Sequence, residues 1–404
     1  MKKIVAILLS ATLMLTSVFY ASAVTVSMEY EGVDLETPLP ENLQANAQVG
    51  ESLEINAKSA ILMEYNTGEI LYEMSADQRL APASITKIMS LILVMEAIES
   101  GKLALTDEIT ASEHAASMGG SQIWLESGEV MTVDELLRAT VIASANDATV
   151  ALAEAVAGTE EGFVAMMNKR AKELGMNNTT FVNSYGLDAE GHLTTAYDVA
   201  VMSRELIRHE LILKYSTVKM DSLRNGESEL VNTNKLIRYY EGAFGLKTGT
   251  TSGAGSCLSA AAERDGLTLI AVVLGSPSSK DRFAGTQKLL DFGFANFCYK
   301  EIEVDTSDFA PIKVEKGVER QVLPVVREKF SALLRKGQEN SVTSVVELSE
   351  TLTAPVKAGD TVGFVRFFSN GSEIGVLPIV AQNGSAELTY GVCLARLFKS
   401  IFTL

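Results

Sequence analysis

Ser84 and Lys87, in the stretch SITK at 84–87, stand three residues apart. On a helix that spacing puts both side chains on one face. A serine hydroxyl is a weak nucleophile until a neighbouring base takes its proton. A lysine becomes that base when burial and a second cation lower its pKa. A helix N-terminus also favours developing negative charge. The pair alone is not distinctive. Ser216 and Lys219 repeat the spacing, and about one or two such pairs are expected by chance in a chain of 404 residues. The first pair stands at the head of a long apolar run, whereas the second receives no role.

Two further segments carry suitable chemistry. Ser144-Ala145-Asn146 is the only S-x-N in the chain. Its hydroxyl is suited to relaying a proton between a lysine and a leaving amine, and its amide to holding a substrate carbonyl or fixing Lys87. A polar break between two helices is the plainer reading of the same residues. Lys247-Thr248-Gly249, followed by Thr250, sits at the edge of an apolar run. A strand-edge lysine and threonine bind a carboxylate, and the glycine allows close approach of substrate to the backbone.

These segments need a scaffold. SAILMEYNTGEILYE (59–73) is two apolar runs around Asn66-Thr67-Gly68, a hairpin signal. Pro82 precedes and Gly101 follows a run that is apolar on nearly every side, which predicts a buried helix. Helical patterning returns over about 132–175. GLTLIAVVLG (266–275) reads as a strand joined to SCLSAAAE by an Arg264-Asp265-Gly266 turn. Helices bracketed by antiparallel strands predict an α+β domain over 51–303. Beyond it, QVLPVV, SVTSVVEL, TVGFVRFF and EIGVLPIV are short β-rich runs separated by turns, and they predict a small all-β domain over 304–388.

Both ends differ from the body. Lys2 and Lys3 precede an apolar run from Ile4 to Leu15, and Ala21-Ser22-Ala23 resembles a cleavage site, so 1–23 reads as an export signal. Residues 24–50, acidic and holding Pro38 and Pro40, read as a poorly structured linker. At 389–404 an amphipathic helix is expected. Leu394, Leu397, Phe398, Ile401 and Leu404 share one side, and Arg396, Lys399, Ser400 and Thr403 the other. Its 392–404 stretch is too short for a bilayer, which takes about 20 residues. An apolar side opposite a basic one suits a helix lying in a membrane surface. The alternative is a terminal helix packed on the β domain.

Charge and composition exclude other classes. The chain carries 34 basic and 51 acidic residues; without the two lysines of 1–23 the balance is 32 − 51 = −19. Nucleic-acid binding rests on neutralising phosphates, so no nucleic acid is expected. The histidines, His114, His192 and His209, have no zinc-hydrolase spacing, and neither a metal nor another cofactor is expected. Cys257, Cys298 and Cys393 form no disulfide framework, and Cys257 reads as a small core residue.

Taken in order and at these intervals, SITK, SAN and KTG resemble the motifs of the serine D,D-carboxypeptidases of the penicillin-binding protein superfamily. GEILYE, NDATVALAE, ELGMNNTTFVNSYGLD and NTNKL extend the resemblance over about 51–300. It implies a transpeptidase-like domain shared with serine β-lactamases, an antiparallel sheet with helices, followed by the small β domain. It implies that Ser84 attacks the carbonyl between two D-alanines of a peptidoglycan stem peptide, with Lys87 as base and Ser144 in the relay. Asn146, Lys247, Thr248, Gly249 and Thr250 would bind substrate, with the N–H groups of Ser84 and Thr250 as oxyanion hole. Arg282 resembles a family arginine near the carboxylate; a surface arginine before a helix at 284–292 is the alternative. β-Lactam antibiotics would be covalent inhibitors.

Two competing functions share these motifs. A serine β-lactamase adds a glutamate in an E-x-x-L-N segment, loosely echoed by Glu173 to Asn177. An exposed i, i+4 pair of Glu173 with Lys169 explains that glutamate more simply. A non-catalytic wall-binding or penicillin-sensing protein is the other, which the full residue set argues against.

Overall fold

The structure is a computed structural model that describes residues 53–307, 309–338 and 340–402. The expected export signal at 1–23 and linker at 24–50 lie outside the described residues.

A five-stranded antiparallel sheet organises the first domain. Its strands are β1 (Ser59–Glu64), β2 (Ile70–Met74), β3 (Ala243–Thr251), β4 (Gly255–Arg264) and β5 (Leu267–Ser276), in the spatial order β2-β1-β5-β4-β3. β1 and β2 form the hairpin expected around Asn66-Thr67-Gly68, and β4 and β5 the one around Asp265-Gly266. The sheet is buried on both faces, and its alternation sorts residues between two cores. Ile61, Met63, Ile270, Val272 and Leu274 point into a large helical layer. Ala60, Leu62, Leu269, Ala271 and Val273 point the other way, against Phe283, Leu289 and Leu290.

The helical layer contains α1 (Lys87–Glu99), α2 (Val133–Arg138), α3 (Asn146–Ala157), α4 (Glu160–Glu173) and α5 (Ala196–Arg208). α1 is the expected buried helix: every residue from Lys87 to Met95 is buried. Apolar side chains of this kind each contribute about 1.5–3 kcal/mol when fully buried, so α1 is a rigid post through the middle of the domain. α6 (Ser279–Asn296) covers the opposite face, and the Ser278 side chain caps it by accepting from Asp281 N–H. Because α6 begins at Ser279, Arg282 lies within its first turns and is buried, not on the surface before a helix at 284–292.

The C-terminal region is β-rich, with its own core around Val365, Phe367 and Ile379. β6 (Phe297–Ile302) pairs with β7 (Phe330–Arg335), so the pairing begins ahead of residue 303. β8 (Val342–Leu348), β9 (Thr361–Ser369) and β10 (Ser372–Ala381) form a meander whose last turn is Asn370-Gly371, both at positive φ. The chain then enters α7 (Tyr390–Phe402). Leu394, Leu397, Phe398 and Ile401 are exposed on it, while Arg396 donates to Val318 O at 3.0 Å. Among the described residues no helix is long and apolar enough to cross a membrane.

Candidate active site

Three segments, far apart in sequence, meet at Lys87. Ser84 sits in a 3-10 turn, Ala83–Thr86, that leads directly into α1. With three residues per turn, positions i and i+3 eclipse. Lys87 Nζ accordingly lies 3.2 Å from Ser84 Oγ. Lys87 also donates to Asn146 Oδ1 at 2.6 Å and to Tyr185 O at 2.7 Å. The asparagine amide is oriented by its other end, because Asn146 Nδ2 donates to Gly119 O at 2.6 Å.

Those contacts fix what the lysine can do. Lys87 is fully buried, and burial, followed by the charge of Lys247, pushes its pKa well below the ordinary lysine value; Asp147 opposes the shift. A neutral amine has two N–H groups and one lone pair. Asn146 Oδ1 and Tyr185 O can only accept, so they take the two N–H groups. The lone pair is left facing Ser84 Oγ.

Ser144 closes a π-helical turn, Ala139–Ala143, and adopts a left-handed φ of 63°. Such strain in a non-glycine residue is sparse and gathers at functional sites. The turn breaks the helical path just ahead of α3, whose first residue, Asn146, reaches Lys87. Both readings of this segment therefore meet: it is a polar break between helices, and it projects into the cluster. Ser144 Oγ is buried and has no hydrogen-bond partner among the described residues.

The third segment is the outer strand, β3. Lys247 shares a sheet face with its cross-strand neighbour Ser259, whose hydroxyl meets Ser203 on α5, so the lysine projects toward the helical layer. Its Nζ is buried and has no hydrogen-bond partner among the described residues. Burial, and then the charge of Arg282, lower its pKa to about 7. Thr248 donates to Thr233 Oγ1 at 2.8 Å. Arg282 reaches β3 from α6, donating to Gly249 O at 2.9 Å and Thr250 Oγ1 at 2.8 Å.

Gly249 has a use that its sequence context did not reveal. A Cβ there would stand 2.9 Å from Ser84 N and from the Ala83 Cβ. Its bareness lets the strand close on the Ala83–Thr86 turn of the same chain. Gly186, with φ 98°, does the same from the other side, where a Cβ would stand 1.9 Å from Ala83 O. The residues missed at the sequence level are thus Tyr185, Gly186 and Gly119. They act through backbone, and only the quoted run containing SYGLD gave any signal. Asp147 was also missed: its buried carboxylate accepts from Ile123 N and Leu125 N, holding the 119–125 loop against α3.

Two residues fall outside the cluster. Glu173 is exposed and paired with Lys169 at 3.7 Å and Arg170 at 3.6 Å, as the simpler reading expected. Ser216 is buried with its hydroxyl on Phe244 O.

Comparison with known proteins agrees over both domains. Residues 44–278 match the family described as D-alanyl-D-alanine carboxypeptidase, and 299–387 match the penicillin-binding protein 5 C-terminal domain. The chain is 44% identical to D-alanyl-D-alanine carboxypeptidase DacF of Bacillus subtilis over 84% of its own length and 88% of the relative's. Penicillin-binding protein 5 of Haemophilus influenzae superposes with a TM-score of 0.72 at 32% identity, covering 83% of this chain and 99% of that one. Penicillin-binding protein D2 of Listeria monocytogenes, solved in an ampicillin-bound form, gives a TM-score of 0.56 at 32% identity over 60% of this chain and all of its own. The chain therefore belongs to the D-alanyl-D-alanine carboxypeptidase family, serine-type hydrolases with a penicillin-binding transpeptidase domain and an all-β C-terminal domain.

Proposed function

We propose that Ser84 is the nucleophile of this carboxypeptidase and Lys87, in its neutral form, the base. The observation that carries the reading is Lys87 Nζ, buried 3.2 Å from Ser84 Oγ and held there by two acceptor-only neighbours, Asn146 Oδ1 and Tyr185 O. Ser84 Oγ attacks the carbonyl between two D-alanines of a peptidoglycan stem peptide while its proton passes to Lys87. The oxyanion is held by the N–H groups of Ser84 and Thr250. Ser144 relays the proton from Lys87 to the departing amine, and the C–N bond breaks to release D-alanine. Lys247 and Thr248 hold the terminal carboxylate, Asn146 fixes Lys87 and the peptide, and Gly249 keeps the strand against the turn. Arg282 supports Thr250 and adds positive potential behind the carboxylate. Water then cleaves the Ser84 ester with Lys87 and Ser144 as proton carriers.

β-Lactams are covalent inhibitors in this reading. Their leaving group stays tethered to the acyl fragment and obstructs the deacylating water. The ampicillin-bound Listeria relative supports this. Mass spectrometry after incubation with a D-Ala-D-Ala peptide, and separately with penicillin, tests it. Loss of one alanine and a long-lived adduct on Ser84 are expected; an adduct on Ser216, or rapid penicillin turnover, overturns the assignment.

We also propose the organisation 1–23 export signal, 24–50 linker, 51–303 peptidase domain, 304–388 β domain and 389–404 membrane-surface anchor. The exposed apolar side chains of α7 favour the last part over a helix packed on the β domain. The enzyme then works at the outer face of the cytoplasmic membrane. Deleting 389–404 should release the protein from membranes with peptide cleavage intact; a truncated protein that still sediments with membranes removes the anchor.

A further inference from the structure

At the end of α1 remote from Lys87, a cluster of acids surrounds one histidine. Glu96 and Glu99 occupy the last turn of α1, and Glu205 the last turn of α5, which His209 closes. Glu96 stands nine residues along α1 from Lys87, a rise of about 14 Å. Both helices bring their C-terminal, negative ends to this place, where a cation is favoured. Arg170 of α4 ties the two helices together. Its Nε donates to Glu96 Oε1 at 2.7 Å and its Nη2 to Glu205 Oε1 at 2.6 Å. Each carboxylate keeps a second oxygen. That of Glu205 lies 3.3 Å from Nη1 of the exposed Arg208. Glu173 beside Arg170 is matched by Lys169. Glu96, Glu99 and Glu205 thus outnumber Arg170 and Arg208, and negative charge is left over.

His209 is buried, with 9% of its side chain exposed. Its Nδ1 lies 2.7 Å from Glu99 Oε1. A carboxylate only accepts, so Nδ1 carries the proton and donates it. In the neutral ring Nε2 then holds a lone pair. That nitrogen is buried and has no hydrogen-bond partner among the described residues. A ring nitrogen of His209 and one carboxylate oxygen each from Glu96 and Glu205 lie within 4.8 Å of one another. Glu99 engages Nδ1, which leaves Nε2 as the ligand atom.

We infer that His209, Glu96 and Glu205 bind a divalent transition-metal ion of the zinc class, with water completing its coordination. Imidazole nitrogen and carboxylate oxygen are donors that such ions take. Glu99 fixes the histidine tautomer and Arg170 orients the acids, as the outer partners of metal ligands do. Zinc bonds of about 2.1 Å place tetrahedral ligands about 3.4 Å apart, so the cluster contracts on the ion through the partly exposed Glu96 side chain. The ion pins the end of α1 to the end of α5 and steadies the rod whose other end carries Lys87. Its role is structural. The expectation of no metal came from histidines at zinc-hydrolase spacing, whereas this set uses one histidine and draws its acids from two helices.

Zinc titration of the purified, chelator-treated protein tests the site, by calorimetry and by metal analysis after dialysis. His209→Asn keeps an N–H for Glu99 and removes the ligand nitrogen; it should lose one equivalent of zinc relative to wild type. Glu99→Gln, at a side chain 54% exposed, should keep that equivalent but bind it about 10–100-fold more weakly. Zinc should raise the Tm of the wild type and leave that of His209→Asn unmoved. Magnesium, which prefers oxygen ligands alone, should move neither. Wild-type protein that binds no zinc, or whose Tm zinc leaves unmoved, overturns the site. A His209→Asn variant that retains every equivalent overturns it too, as does Glu99→Gln with wild-type affinity, a result that needs no change at a ligand.

Discussion

The chain spells S-x-x-K twice, and only one copy is built for chemistry. At Ser84 the 3-10 turn runs without interruption into α1, so one helical rod carries both side chains and buries the lysine. At Ser216 the helix ends: Leu213–Ser216 is one short turn, capped at Thr217. Lys219 lies beyond it at a bend and is exposed. Ser216 turns instead to Phe244 O, 2.6 Å away. The difference shows that a three-residue spacing carries chemical meaning only when the helix continues through it and a partner dehydrates the base.

The comparison breaks most sharply on the serines. Ser84→Ala should lower kcat/KM by about 10⁴-fold or more and abolish penicillin labelling, the scale of removing a nucleophile. Ser216→Ala should retain labelling at Ser84. Peptide assays and intact-protein mass spectrometry read both; comparable losses would put the nucleophile at the wrong pair.

The next largest effect separates the lysines through their surroundings. Asn146→Ala removes the acceptor that aims Lys87 and should cost about 10²–10³-fold in kcat, the range of general-base contributions. No neighbour of Lys219 has an equivalent role, and Lys219→Ala should be neutral in the same assay. A smaller loss than tenfold in Asn146→Ala would mean that Tyr185 O alone orients the amine.

A pH profile sharpens the contrast further. Lys87 must be neutral, and its pKa lies well below the usual lysine value. In the proposed reading Lys247 must be charged to hold a carboxylate, and its pKa is about 7. In the free-enzyme profile, kcat/KM, deprotonation of Lys87 gives a rise, and loss of the Lys247 charge gives a fall as pH increases through about 7. A bound carboxylate favours charged Lys247 and moves the falling limb of kcat upward. Lys247→Arg, whose guanidinium stays protonated, should remove that limb; its persistence would assign the limb to another group.

The smallest effect reverses the order of the serines. Ser216→Ala leaves a partly buried carbonyl without its donor and should cost about 1 kcal/mol of stability. Lys219→Ala should stay within about 0.5 kcal/mol, as exposed substitutions do. Denaturant unfolding measures both, and a larger effect at Lys219 would show that its segment is structural after all.

The sequence carried unequal amounts of this. A strand that is a near-continuous apolar run, such as 267–276, and a helix buried on all sides are legible because burial is written in side chains. Ser84, Lys87, Ser144 and Lys247 are legible as motif residues. Tyr185 O, Gly119 O and the bare faces of Gly186 and Gly249 are not, since a carbonyl has the same chemistry in every residue and its aim exists only after folding. Asp147 was hidden differently: an acid in the first turn of a helix suits the helix dipole, yet here it clamps a loop. Arg282 is ambiguous in the sequence because a helix start at 284 leaves it outside α6, whereas the Ser278 cap puts it inside.

β3 is the outermost strand of its sheet. Such a strand has one row of backbone groups with no neighbouring strand to receive it, a template on which any extended chain can pair. Ser216 occupies part of that row at Phe244, and its Cβ would lie 3.3 Å from one built on Gly245. The first half of the strand is thereby withdrawn from pairing, and in the proposed reading Lys247 to Thr250 receives the substrate peptide. A peptide docked there becomes a temporary sixth strand. The inert S-x-x-K thus has a part in recognition after all: by closing half of the template it shortens what can add to the sheet, and a short chain end fits where a long partner strand would not.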